Sequence, residues 1–150
     1  MMEEEYGRIL VAVDGSDSGD AAFQKAIGTA LRNQAELGII HVIDTLYFAN
    51  FTALDGGQTV NEFSATAEKM LDEYKEKATR QGVKVVHTFV EFGSPKATIL
   101  KVAEEKYPAD LIVLGAVGHS AITRMLLGSV SSYVALYAPC DVLIEREAMK

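Results

Sequence analysis

Three glycines and a serine are spaced along one stretch of the chain, Gly115, Gly118, Gly128 and Ser129, directly after the apolar run "DLIVL". A glycine has no Cβ, so its backbone can approach a ligand closely. Gly128 and Ser129 stand where the pattern of a last helix begins. The N–H groups of a helix start, at the positive end of its dipole, suit a phosphate. Ser129 adds a hydroxyl donor on the same side. A second group of interest is Asp14, just past the apolar run "RILVAV". Its carboxylate can accept hydrogen bonds from ribose hydroxyls. His119 follows the second glycine and is placed to contact phosphate, but proximity alone does not make it a general base. Taken singly, each glycine is a turn or packing residue and Ser129 is a helix cap. The functional reading depends on whether the fold brings them to one place.

The elements that would do so are legible as alternating patterns. Strand-like apolar runs fall at 8–13, 36–43, 83–90, 110–115 and 140–145. Between them lie helical faces. Phe23, Ala26, Ile27, Ala30 and Leu31 recur at helical spacing in the first, and Phe63, Ala67, Met70, Leu71, Tyr74 and Ala78 in the second. Gly82 is placed to end that second helix. Ser94 and Pro95 open a third as N-cap and first residue, and "SVSSYVALYA" forms a fourth. The strands are continuously apolar rather than alternating, as in a parallel sheet covered on both faces. The expectation is one α/β doubly wound domain over 1–150. In such sheets ligands bind beyond the carboxyl ends of the strands, where strand order reverses. That edge would gather Asp14 from strand 1, His41 and Val42 from strand 2, and Gly115 from strand 4.

Composition narrows the ligand. The formal net charge is −7, and no basic stripe occurs, which excludes nucleic acid as the natural partner. No apolar run approaches the ~20 residues needed to span a bilayer. The acidic opening "MMEEEYGR" is not a signal peptide, so a cytoplasmic location is expected. The lone Cys140 reads as a small buried residue rather than a nucleophile. His41 and His87 lie in strand patterns and read as satisfied core or rim residues. The apolar connection 44–58, with Tyr47, Phe48 and Phe51, reads as a loop folded back on the core, with a flap near the ligand or a dimer contact as the alternative.

The stretch "GAVGHSAITRMLLGS" has the form Gly-x2-Gly-x9-Gly-Ser and resembles the nucleotide-binding motif of the universal stress protein family. "ILVAVDGSDSGDAAFQKAI", "GSPKATIL" and "LLGSVSSYVALYAPCDVLIE" are similar to that family's first strand and helix, third helix start and C-terminal end. The resemblance spans essentially the whole chain. It implies a Rossmann-like sheet of order 3-2-1-4-5. It implies ATP bound with Mg²⁺ or another divalent cation on the phosphates. The implied site comprises Val13 and Asp14 at the adenosine, and the Val42 backbone at the adenine. Gly115, Gly118, His119, Gly128, Ser129, Val130 and Ser131 would cradle the phosphates. It further implies a homodimer formed through the fifth strand, with Val142, Leu143 and Ile144. Cys140-Asp141-Val142 departs from the family's Cys-Pro-Val, and "HSAITR" carries fewer positive charges than usual, with Arg124 read as a solvated residue.

Four functions fit such a site. The first is an ATP-binding regulatory module of the stress response with little or no turnover. No Gly-x4-Gly-Lys-Ser/Thr motif occurs, which favours it over a nucleotide hydrolase. The alternative is a weak ATPase or an AMP-forming, ATP-cleaving enzyme of the related fold. "DGSDSGD" is only a faint version of the pyrophosphate loop that such an enzyme needs. A flavodoxin-like carrier would need an acid-free loop there. A structural dimer with an empty site would not need the glycines.

Overall fold

Ile9, Leu10 and Val11 are wholly buried at the centre of a five-stranded parallel sheet. The computed structural model describes residues 5–46, 57–116 and 127–146. The strands are β1 (Arg8–Ala12), β2 (Glu36–Asp44), β3 (Val86–Gly93), β4 (Leu111–Gly115) and β5 (Asp141–Glu145). The helices are α1 (Asp17–Asn33), α2 (Gln58–Arg80), α3 (Pro95–Lys101) and α4 (Ser129–Tyr137), and α3 runs on into a π-helical turn at Val102–Lys106. The order across the sheet is β3-β2-β1-β4-β5, with every pairing parallel. The expected α/β doubly wound architecture is therefore present, and strand order reverses between β1 and β4.

Alternate strand residues feed two cores. Ile9, Val11, Leu37, Ile39, Leu111 and Val113 meet Phe23, Ala26, Ile27 and Ala30 of α1 and Leu71, Tyr74 and Ala78 of α2. Leu10, Ile40, Ile112 and Leu114 meet Ile99, Val102 and Ala103 together with Val134 of α4. Two apolar residues assigned to these faces lie off them: Leu31 is 42% exposed and Phe63 44%.

Boundaries shift where the chain has a local alternative. The third strand starts at Val86, not Val83. Gly82 takes a φ of +110°, open to glycine but costly to other residues. The Val83 N–H then donates to the Ala78 carbonyl at 3.1 Å, closing the end of α2. Ser94 occupies the cap position of α3, but its hydroxyl makes no capping bond. Only its carbonyl is engaged there, accepting from the Thr98 N–H at 2.9 Å.

Candidate functional site

Two chain ends meet at the reversal point. On the β1 side, the Val13 N–H donates to the Ile40 carbonyl at 2.9 Å. His41 Nδ1 lies 2.8 Å from the Val13 carbonyl oxygen. That oxygen can only accept, so Nδ1 carries the hydrogen. The chain then turns through Gly15 at φ +83°. Asp14 Oδ1 accepts from the Ser16 N–H at 3.0 Å and from the Ser16 hydroxyl. Ser16 Oγ in turn accepts from the Gly19 N–H at 3.1 Å and caps α1. This is an Asx turn feeding an N-cap. Asp14 stands at the mouth of the crevice and also holds the turn that begins α1.

On the β4 side, Gly115 has the packing duty weighed for the glycines, and its partner is Ser18. A Cβ there would lie 2.2 Å from Ser18 Oγ and 2.7 Å from the Ser18 carbonyl oxygen. Glycine at this position lets the first turn of α1 sit directly on β4. The next carbonyl, that of Ala116, takes two donors: the Gly128 N–H at 2.7 Å and the Ser131 hydroxyl at 2.8 Å. Ser131 Oγ also lies 3.1 Å from the Gly128 carbonyl and is buried. The beginning and end of the motif are thus fastened together at its neck. The cap of α4 is Gly128, and Ser129 is its first helical residue rather than its cap. Gly128 sits at φ −68°, ψ 166°, ordinary extended backbone that needs no glycine. What the glycine does is leave the helix start without a capping side chain. The first turn of α4 also carries no acid. Val130 packs against the Leu114 side of the sheet. Gly118, His119 and Arg124 lie outside the described residues, as do 47–56 of the apolar connection.

Several other titratable groups among the described residues have local partners. His87 Nε2 pairs with Glu36 Oε1 at 3.1 Å on the sheet rim, at the opposite end of β2 from the crevice. His41 is engaged by Val13, so both histidines are satisfied residues as expected. Cys140 is half-buried among apolar neighbours. Burial first, then Asp110 and Asp141, push its thiol up to about 11, which leaves it a poor nucleophile. Tyr74 donates to Asp20. Its own burial and then that bond hold its phenol well above the usual range. The start of α1 is acidic, with Asp17 and Asp20 in its first turn. Among the described residues, no group of three or more His, Cys, Asp or Glu could hold a metal ion unaided.

Val42 follows His41 on β2, with its side chain against the face covered by α3 and α4. Val13, Asp14, Val42, Gly115, Gly128, Ser129, Val130 and Ser131 all therefore lie at strand ends or helix starts along one edge of the sheet. Two contributors escaped the sequence reading. One is the Ser131 hydroxyl, which bonds the Ala116 carbonyl. The other is the His41 ring, whose bond spans 28 residues and leaves no local trace.

Comparison with known proteins identifies the family and matches the fold. Residues 5–146 match the profile of the Universal stress protein family. A Staphylococcus aureus (strain USA300) protein carrying the universal stress protein name is 45% identical over 141 residues, 94% of this chain and 84% of its own. Universal stress protein UspA from Lactobacillus plantarum superposes with a TM-score of 0.83 at 32% identity, covering 96% of this chain and all of that one (100%). A universal stress protein crystallised in complex with cAMP superposes with a TM-score of 0.72 at 30% identity, covering 95% of this chain and 98% of that one.

Proposed function

The chain belongs to the universal stress protein family, and on that premise we propose that it binds ATP where β1 and β4 end and acts as a regulatory module of the stress response, turning ATP over slowly or not at all. One observation carries the reading. The start of α4 is uncapped and acid-free, and it is held against the end of β4 by two bonds to the Ala116 carbonyl. Among the described residues no side chain caps these amides, and helix-start N–H groups fit an anion. In this reading the amides of Ser129, Val130 and Ser131 hold the phosphates. Gly118 and His119 complete the cradle from the stretch between. Asp14 faces the ribose hydroxyls and the Val42 backbone faces the adenine. A divalent cation, Mg²⁺ or another, arrives on the phosphates, where it would neutralise their charge. The chain has no Gly-x4-Gly-Lys-Ser/Thr loop, which is consistent with slow turnover.

The neighbour solved with cAMP favours a second reading, in which a mononucleotide is the signal. One experiment separates the two. Freshly purified protein is denatured and any released nucleotide is identified by chromatography and mass spectrometry. Released ATP supports the first reading. Released AMP or cAMP supports the second, and ADP points to turnover. If nothing is released and titration with ~1 mM ATP, AMP or cAMP gives no binding, a threshold of about −4 kcal/mol, both readings fail.

Dimerisation through β5 belongs to the same proposal. β5 ends the sheet beyond β4. Val142, Leu143 and Ile144 are only half-buried, and Leu136 and Tyr137 at the end of α4 are exposed. An edge of this composition is stabilised by pairing with another chain. The solution mass by light scattering tests it, and a monomer at micromolar concentration would remove this part. Among the described residues no helix is long and apolar enough to cross a membrane; a cytoplasmic location is part of the proposal.

A further inference from the structure

The pairing of β1 with β2 ends at Ala12 and Ile40. One residue further, the Val13 N–H still donates to the Ile40 carbonyl at 2.9 Å. The next rung of a parallel ladder would be the Val42 N–H donating to the Val13 carbonyl. That carbonyl is bonded instead by His41 Nδ1 at 2.8 Å. No Val42-to-Val13 backbone bond occurs among the described residues. Alternate residues of a parallel strand direct both backbone groups to the same neighbour. Ile40 turns its carbonyl to β1, so Val42, two residues on, turns its N–H and C=O to that side too. There β1 has already bent away through Asp14 and Gly15. On its other side β2 stays paired with β3 through Val42–Glu91, Ile43–Phe92 and Asp44–Gly93, which holds the Val42 backbone in place.

From this we infer that His41 is a positioning residue. Its ring takes the Val13 carbonyl in place of the Val42 amide. It thereby leaves the Val42 N–H and C=O as an adjacent donor and acceptor facing the crevice. The inference deepens the nucleotide reading above and rests on it for the ligand. A donor beside an acceptor matches N1 and the 6-amino group of adenine. Guanine in the same orientation presents the reverse order, so the pair selects between the bases.

The test is amide exchange at Val42 in the nucleotide-free protein, read by NMR beside nucleotide titrations. Three proteins are compared: wild type, His41→Phe, which keeps a ring and removes the donor, and His41→Asn, whose side-chain amide places a donor near the Nδ1 position. In wild type the Val42 amide exchanges faster than that of Ile40 and becomes protected when ATP is added. In His41→Phe the ladder closes and Val42 is protected without ligand. ATP then binds about tenfold more weakly, the worth of one hydrogen bond. The preference for ATP over GTP shrinks, while binding of inorganic tripolyphosphate is unchanged. His41→Asn restores both exchange and affinity. A Val42 amide as protected as Ile40 in free wild type overturns the inference. So does wild-type ATP affinity in His41→Phe, or an Asn variant as weak as the Phe variant. If the Val42 amide is fast and wild type binds no nucleotide, the action of the ring on the ladder is supported and the nucleotide reading falls.

Discussion

The two helix starts at the reversal point are opposites. α1 satisfies itself: Ser16 caps it, Asp14 holds Ser16, and Asp17 and Asp20 supply negative charge to its first turn. α4 does not: its cap is Gly128, its first turn has no acid, and its buried hydroxyl, Ser131, turns back to the Ala116 carbonyl. Both starts carry the same partial positive charge from the helix dipole. In α1 the chain neutralises it internally and adds enough acid to repel a phosphate. In α4 no described side chain caps it. In the proposed reading this is what makes one helix start an anion site and not the other.

The largest expected effect lies where the two starts touch. Gly115→Ala would push a methyl into Ser18, with backbone atoms at 2.7 and 2.8 Å as well as the hydroxyl at 2.2 Å. Forcing α1 off β4 should cost about 3 kcal/mol, the upper range for overpacking, measured by denaturant unfolding. Trimming the side chain with Ser18→Ala should recover only part of this, because the backbone contacts remain. A loss below about 1 kcal/mol would mean that the glycine serves the ligand and not the packing.

The next prediction makes α4 resemble α1. Gly128→Asp places a carboxylate over the uncapped amides, on backbone that any residue adopts. Stability should rise by about 0.5–1 kcal/mol from capping and the dipole. ATP affinity should fall about a hundredfold, since the internal acid both occupies the amides and repels phosphate. Gly128→Asn caps without charge and should lose less. Unchanged ATP binding in Gly128→Asp would show that the phosphates do not sit at α4.

How much of this contrast could be read beforehand depends on the range of each interaction. The strands of the sheet centre were legible because Ile9, Leu10, Val11, Ile112 and Val113 form unbroken apolar runs, which only a doubly covered sheet explains. The acidic turn at Asp14 and the Gly128-Ser129 start were legible as local chemistry. The offset of β3 was not, because Val83 has the same β-branched side chain whether it closes α2 or begins a strand. The 3.1 Å bond to Ala78 decides the matter. For Gly115 a packing role was legible but its partner was not, because Ser18 lies far away in sequence. The π-helical turn has no signature in "VAEEK" either; it is set by the Tyr107 N–H reaching the Val102 carbonyl at 2.8 Å. Assigning the cap of α4 to Ser129 followed serine's usual preference, whereas the backbone makes Gly128 the cap.

Ser131→Ala tests the tie that aims α4. It removes the hydroxyl bonds to the Ala116 and Gly128 carbonyls and leaves the Gly128 N–H bond in place. A buried hydroxyl of this kind contributes about 1–1.5 kcal/mol. With the start of α4 less firmly fixed, ATP affinity should drop about fivefold, or about 1 kcal/mol. A stability loss with no change in affinity would confine Ser131 to structure.

The smallest effect comes from the start that needs no ligand. Ser16→Ala removes the hydroxyl that accepts from the Gly19 N–H and donates to Asp14. Loss of the cap should cost about 1 kcal/mol, seen as a lower unfolding midpoint. Asp14 keeps its bond from the residue 16 N–H, so its carboxylate stays in place. Nucleotide affinity should then stay within about twofold, less than 0.5 kcal/mol. Ser16→Thr, which retains an oxygen at the cap, should restore stability. If Ser16→Ala instead weakens ATP and AMP together, the orientation of Asp14 depends on the capping hydroxyl. The self-satisfied start would then also be half of the binding site, with its cap and its ligand sharing one carboxylate.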